Sequence, residues 1–359
     1  MTELLRRSRS GIFSVLLAFA FTVLLLLLVG APPLEALQLL WEGSFGTTTK
    51  VADTLMAWVP LVLASAGLLM TFQAGLWNIG VEGQIVIGAI GAAWAAREVT
   101  GPSWFVITVA LAAGIAGGVL WALLPGWLRT RFGVHEIFSG VALFFVAGGL
   151  AIYLIVGPWS REGIASTSGT DLFPDAAWLP TVGGLRLSLV AVALALFAVV
   201  LVYVLLRGTR YGLRLKAVGK NANSAFLMGI PTNRYMLSAF AACGALAGVA
   251  GTVQAIGFHH KLVPSISGGY GFLGILVVLL AGFRALWIAP IALFFAAIQV
   301  GSTQLSLRLD IDSSLAGVVQ GVLVLLILLA GGWQARRTLR SPNISEAANL
   351  DPGAAERAA

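Results

Sequence analysis

The chain has 359 residues, of which 58% are hydrophobic and 10% charged, and its mean hydropathy is +0.94. A soluble domain carries roughly 25% charge, so the composition excludes a soluble globular protein and describes an integral membrane one. The formal charge of +7 is not gathered on a folded basic face, which makes it a topology signal and not a nucleic-acid footprint.

A helix needs about 20 residues to cross ~30 Å of hydrocarbon. Apolar runs of that order occupy 12–30, 51–72, 83–96, 104–124, 136–157, 187–206, 235–258, 270–283, 285–303 and 313–332. They predict an all-α polytopic membrane protein of about ten transmembrane helices, with the third and eighth short for a full crossing. The first run follows Arg6, Arg7 and Arg9 but is longer than a signal-peptide core and has no A-x-A site after it, so it reads as a retained helix. The single cysteine, Cys243, lies in an apolar run; it excludes an intrachain disulfide and reads as a small packing residue.

Lys and Arg collect in cytoplasmic loops. With the N-terminus inside, ten helices place sixteen of the 22 Lys and Arg inside. Only Lys50, Arg97, Arg161, Arg186, Lys261 and Arg308 fall outside. Both termini are then cytoplasmic. A shift of one helix before residue 207 would expel the most basic loop, so the threading checks itself.

The first break in the apolar pattern is 73–84, QAGLWNIGVEGQ. Asn78, Glu82 and Gln84 stand there among three glycines. Polar, non-helical backbone at membrane depth survives only when buried in protein or lining a wet cavity, and an ionisable residue there is a functional candidate. With Trp77 these residues are expected to border a translocation path. Glu82 either contacts substrate or holds the broken backbone by accepting hydrogen bonds from freed N–H groups; a plain cytoplasmic hairpin is the simpler alternative. A polar stretch rich in Gly, Pro, Ser and Thr follows at 157–184 and is expected outside.

The stretch 207–234 is basic, helix-forming and water-compatible, and it lies between two long apolar runs. Good helix formers run from Lys216 to Met228 and predict a short cytoplasmic helix of two to three turns after Gly219. Asn221 or Asn223 can cap its start, and Gly229 before Ile230 and Pro231 marks its end. Ala225, Phe226 and Met228 are expected to form an exposed apolar knob. A passive solvated loop needs neither caps nor a knob, so this segment is read as a surface presented to a cytoplasmic partner. The last break, 259–274 (HHKLVPSISGGYGFLG), again precedes a short apolar run. His259 and His260 have no Cys or carboxylate at ligand spacing, so no metal is expected there. Two such breaks after oppositely directed helices suggest an inverted repeat with a path between its halves. Residues 1–340 are thus read as the membrane domain and 341–359 as a polar, disordered cytoplasmic tail. Glycines at small-xxx-small spacing in 244–251 fit close helix packing. There is no G-x-x-x-x-G-K-[ST] loop, HExxH or GxSxG; the chain neither binds ATP nor looks like an enzyme.

Three segments carry a family resemblance. LWNIGVEGQIVIGAIGA resembles the FNIGVEGQ signature of permease subunits of ATP-binding-cassette (ABC) importers, in the branched-chain amino acid and simple-sugar permease superfamily. LKAVGKNANSAFLMGI is similar to that family's cytoplasmic element that docks on the ATPase, and GYGFLGILVVLLAG resembles a third family segment. Trp77, Asn223, Ser224, Leu276 and Val277 depart from the family pattern. The resemblance implies a multi-pass permease of the bacterial cytoplasmic (inner) membrane, of the nucleoside-type branch. Ribose-type sugars and branched-chain amino acids are the rival substrates, and an ion-coupled secondary transporter is the rival class. It further implies a separate ATPase that binds ATP, a second permease subunit and an extracytoplasmic substrate-binding protein. The ATPase-coupling residues would be Gly219, Lys220, Asn221, Ala225, Phe226, Met228, Gly229 and Ile230. No cofactor is implied for this chain.

Overall fold

The computed structural model describes residues 32–161 and 167–309, with Val318, Gly321, Val322 and Leu325 beyond them. Among these residues every regular element is helical. Leu34–Ala316 forms one compact unit; the other unit, Met1–Pro33 with Gly317–Ala359, lies almost wholly outside the described residues. The expected helices 12–30 and 313–332 and the tail 341–359 fall in that undescribed part.

Each of the eight apolar runs between them coincides with a helix. In chain order these are α2 (Thr48–Gln73), α3 (Val81–Glu98), α4 (Ser103–Phe132), α5 (Glu136–Val156), α6 (Leu189–Gly208), α9 (Thr232–Thr252), α10 (Tyr270–Leu280) and α11 (Ala285–Leu309). Three elements are additional: α1 (Pro33–Phe45), and the pair α7 (Arg210–Lys220) and α8 (Ala222–Leu227). Among the described residues six helices are long and apolar enough to cross a membrane: α2, α4, α5, α6, α9 with its extension to His259, and α11. The 11-residue α10 is too short, and α3 carries Glu82, Arg97 and Glu98 within 18 residues.

The centre is α2. Thr47 starts it by accepting from Lys50 N at 3.3 Å, and its residues Met56–Thr71 are buried on every side. A helix apolar all round belongs inside a bundle, and α6, α9, α10 and α11 pack around this one. Beside it, α3, α4 and α9 approach one another backbone to backbone. A Cβ on Gly118 would collide with the Gly244 carbonyl, one on Gly248 with that of Gly114, and one on Gly251 with that of Ile85. Small residues permit such contact, and dispersion between close backbones then holds the helices.

Both polar breaks interrupt the helices. The second is preceded by a π-helical segment, Val253–His259, that continues α9. The loop at 167–187 straps this segment. Thr170 N donates to the Leu262 carbonyl at 2.9 Å, Phe173 N to that of His260 at 2.8 Å and Leu179 N to that of Ile256 at 3.1 Å. The Trp178 and His260 rings stack with centroids 4.2 Å apart. Burial lowers the His260 pKa below its usual value, and Arg186 adds to the shift against an opposing backbone hydrogen bond.

Candidate functional site

The first break closes on itself through side chains. Asn78 Nδ2 donates to Gln84 Oε1 at 3.2 Å, and Gln84 Nε2 returns a bond to Asn78 Oδ1 at 3.1 Å. Asn78 Nδ2 also lies 3.1 Å from Cys243 Sγ on α9. Both amides are buried, at 1% and 0% exposure, and their partners are protein groups. Buried amides left unpaired would each incur an uncompensated desolvation cost, so the reciprocal pair is a lock that fixes the start of α3. Trp77 is the exception: it is 43% exposed, with its ring 4.9 Å from that of Phe72.

Glu82 joins the two breaks. One carboxyl oxygen accepts from Gly269 N at 2.9 Å and the other from Gly271 N at 2.6 Å. The carboxyl group thus satisfies backbone donors at the start of α10, groups that have no partner inside the helix. Glycine is required here twice over: Gly269 has φ 76°, and a Cβ on Gly271 would sit 2.5 Å from Glu82 Oε2. The clamp is deep. The other end of α10 meets Gln73, whose Nε2 donates to the Phe283 carbonyl at 3.2 Å. Eleven helical residues rise about 16 Å, so the length of α10 separates that contact from the Glu82 carboxyl group, which is 2% exposed inside the bundle.

A buried acid that sequence reasoning missed completes the break. Glu136, 3% exposed, accepts from Trp77 N at 3.3 Å and lies 3.4 Å from Arg129 Nε. At the first position of an apolar run it looks like an ordinary first-turn acid favoured by the helix dipole, and no spacing connects it to residue 77.

The segment 207–234 folds as a helical hairpin, and its geometry differs from the expectation. The short helix expected after Gly219 is α8, and Asn221 separates it from α7 with an extended backbone, φ −159° and ψ 105°. Asn221 Oδ1 accepts from Ser224 N at 2.9 Å and so starts α8; Asn223 is inside that helix and is not the cap. Gly229, at φ 80°, ends it, and Ile230 N donates back to the Ala225 carbonyl at 3.0 Å. Ala225 is not part of an exposed knob: it is 3% exposed, packed under α8. The apolar tip is Phe226, Leu227 and Met228, at 67%, 85% and 82% exposure. Lys220 and Asn221 are exposed beside it. At the turn of the hairpin, one residue before Lys220, Gly219 touches the first break. A Cβ on Gly219 would collide with the Gln73 carbonyl, and one on Gly75 would lie 2.9 Å from the Gly219 carbonyl. Thus α7 bears directly on the end of α2, where the broken segment begins.

Residues 50–328 match the family model described as branched-chain amino acid transport system / permease component. The chain belongs to this permease family. Among curated relatives, a glucose ABC transporter permease protein of Haloferax volcanii, TsgB13, is 30% identical over 88% of this chain and 86% of its own length. The guanosine ABC transporter permease proteins NupP and NupQ of Bacillus subtilis are 27% and 26% identical. They cover 88% and 69% of this chain, and the matches span 91% and 80% of the relatives.

Proposed function

We propose that this permease is the membrane subunit of an ATP-driven ABC importer for nucleosides, in the cytoplasmic (inner) membrane. It crosses the bilayer about ten times with both termini cytoplasmic. A separate ATPase binds and hydrolyses ATP, an extracytoplasmic protein delivers the ligand, and a second permease completes the path. The relation to both NupP and NupQ favours that last partner. One observation carries the mechanism: the hairpin α7–α8 presents an exposed apolar tip and, at its turn, makes a backbone contact with the first break.

The tip Phe226–Leu227–Met228 offers apolar surface to the ATPase, and Lys220 and Asn221 offer polar contacts at its rim. When ATP closes the ATPase dimer, the hairpin moves, and the Gly219–Gly75 contact carries that motion to the end of α2. Glu82 then links the displaced α3 to α10, so the two breaks shift together. A ligand can bias this equilibrium only by its differential interaction with the two states. Within this scheme Glu82, Asn78 and Gln84 hold the path's backbone. Trp77, partly exposed, is the residue of the motif available to stack on a base.

The test is ATP-dependent uptake into proteoliposomes holding the chain with its ATPase and second permease, and the binding protein added. Guanosine is expected to accumulate, and ribose, glucose and leucine are not. Glucose uptake without guanosine uptake would transfer the chain to the sugar reading that the Haloferax relative keeps open. Uptake that follows an ion gradient and ignores ATP would reject the ABC mechanism.

A further inference from the structure

A cavity of about 510 Å³ opens at the end of the bundle where the hairpin sits, away from the Glu82 clamp. It is bordered by Gln73 at the end of α2, Arg207 at the end of α6, Lys216 on α7, and Arg284 and Trp287 where α11 begins. Three of its walls carry a cation and none carries an acid. Among the described residues no carboxylate is ion-paired with Arg207, Lys216 or Arg284. Lys216 Nζ donates to the Leu206 carbonyl at 2.7 Å, at the end of α6. The Arg207 guanidinium reaches the Tyr203 hydroxyl and lies 5.5 Å from that ring's centre. These contacts orient the cations without neutralising them.

The chain is shaped to bring the third cation in. Gly282 and Phe283 are consecutive left-handed residues, at φ 57° and 59°. A non-glycine residue at positive φ is uncommon and is held there by its surroundings; Gln73 binds the Phe283 carbonyl, and the Phe72 and Phe283 rings meet at 6.0 Å. This reversal starts α11 with Arg284 at the cavity. Next to it Leu286 and Trp287 are 60% and 55% exposed.

We infer that this cavity binds the phosphate headgroup of an anionic phospholipid from the cytoplasmic leaflet. Three cations with no carboxylate partner among the described residues exceed what a neutral nucleoside or sugar calls for, whereas a phosphodiester supplies negative charge and acceptors only. The flanking α6 and α11 are among the helices able to cross a membrane, and exposed Leu286 and Trp287 are the apolar and amphipathic surface that acyl chains and the interface favour. Basic cavities between membrane helices on the cytoplasmic side suit such headgroups. A soluble anion would use the same cations but leave that apolar flank uncovered. The lipid would pin α6, α7 and α11 together at the root of the moving hairpin.

The test uses the purified full-length chain in detergent, exchanged into defined phosphatidylglycerol and phosphatidylcholine mixtures. Lipid retention is measured by native mass spectrometry and Tm by thermal unfolding. The expected result is a preference for phosphatidylglycerol of about tenfold or more, lost in Arg207→Gln/Arg284→Gln while Tm in pure phosphatidylcholine is unchanged. Arg284→Lys should keep much of the preference. Equal retention of the two lipids, or a preference that survives the double substitution, overturns the site. Inorganic phosphate at millimolar concentration that displaces the lipid overturns the lipid source. A double variant that keeps its lipid preference but no longer associates with the ATPase assigns the cations to that protein and also overturns the inference.

Discussion

The Glu82 carboxyl group satisfies two backbone donors at once, and each buried donor left unpaired costs about 1–3 kcal/mol. Glu82→Ala should therefore lower Tm in detergent and reduce uptake, and Glu82→Gln should do so less because one acceptor remains. If the residue holds backbone, the order of substrate preference stays the same in the Gln variant. A changed order with unchanged Tm would make Glu82 a substrate contact. The amide lock behaves similarly: Gln84→Leu strands Asn78 in a buried site, whereas Gln84→Glu keeps one acceptor. Sequence pattern made Asn78, Glu82 and Gln84 visible because polar residues among membrane-spanning runs are costly and therefore conspicuous. It did not reveal that Asn78 and Gln84 bind each other, nor that Glu82 reaches Gly269 and Gly271, almost two hundred positions away, because nothing local encodes such a pairing. Glu136 stayed hidden because an acid opening a helix is ordinary.

At the scale of elements, the hairpin α7–α8 separates two kinds of substitution. Leu227→Glu, on a residue 85% exposed, should leave folding intact and uncouple ATPase stimulation from uptake. It would place an unpaired charge in the docking contact, which is strongly unfavourable. Ala225→Glu acts differently, because Ala225 is buried: it should unfold α8 itself, visible as faster proteolysis at the hairpin. Wild-type coupling in Leu227→Glu would remove the tip from the docking surface. Gly219→Ala tests the turn of the hairpin, where a methyl group collides with the Gln73 carbonyl; uptake should fall while insertion is retained. The caps were legible, since Asn and Gly have local reasons to stand at helix ends, but which asparagine caps and where the helix breaks depends on packing against α2. The strap over the π segment offers a pH test. The His260 pKa is lowered, so its neutral form is favoured in the folded state, and stability is full above the ordinary histidine pKa and is lost as pH falls through the lowered value. Protease cleavage of 167–187 should accelerate in mild acid, and His260→Gln should remove that dependence.

For the whole molecule, orientation is the first property to check. Leu172→Cys, 62% exposed in the strap, and Met228→Cys, 82% exposed at the hairpin tip, should react with an impermeant maleimide from opposite sides of the membrane. The native Cys243, 0% exposed, should stay silent until the protein is denatured. Labelling of both sites from one side rejects the threading. Eight helices were legible from hydropathy alone because membrane insertion demands long apolar runs. The short α1 escaped because it is only modestly apolar, and the clamp at the start of α10 escaped because it is a tertiary contact. The backbone-to-backbone seam of α3, α4 and α9 has a mechanical consequence. Interdigitated side chains can settle into a second set of rotamers, but surfaces without side chains have no alternative fit to adopt. That trio should therefore move as one body, carrying the Glu82 clamp with it, and bending should fall outside it. Left-handed glycines stand at chain reversals around it, Gly75, Gly269 and Gly282 among them, so the chain turns there on residues that contribute no side chain at all.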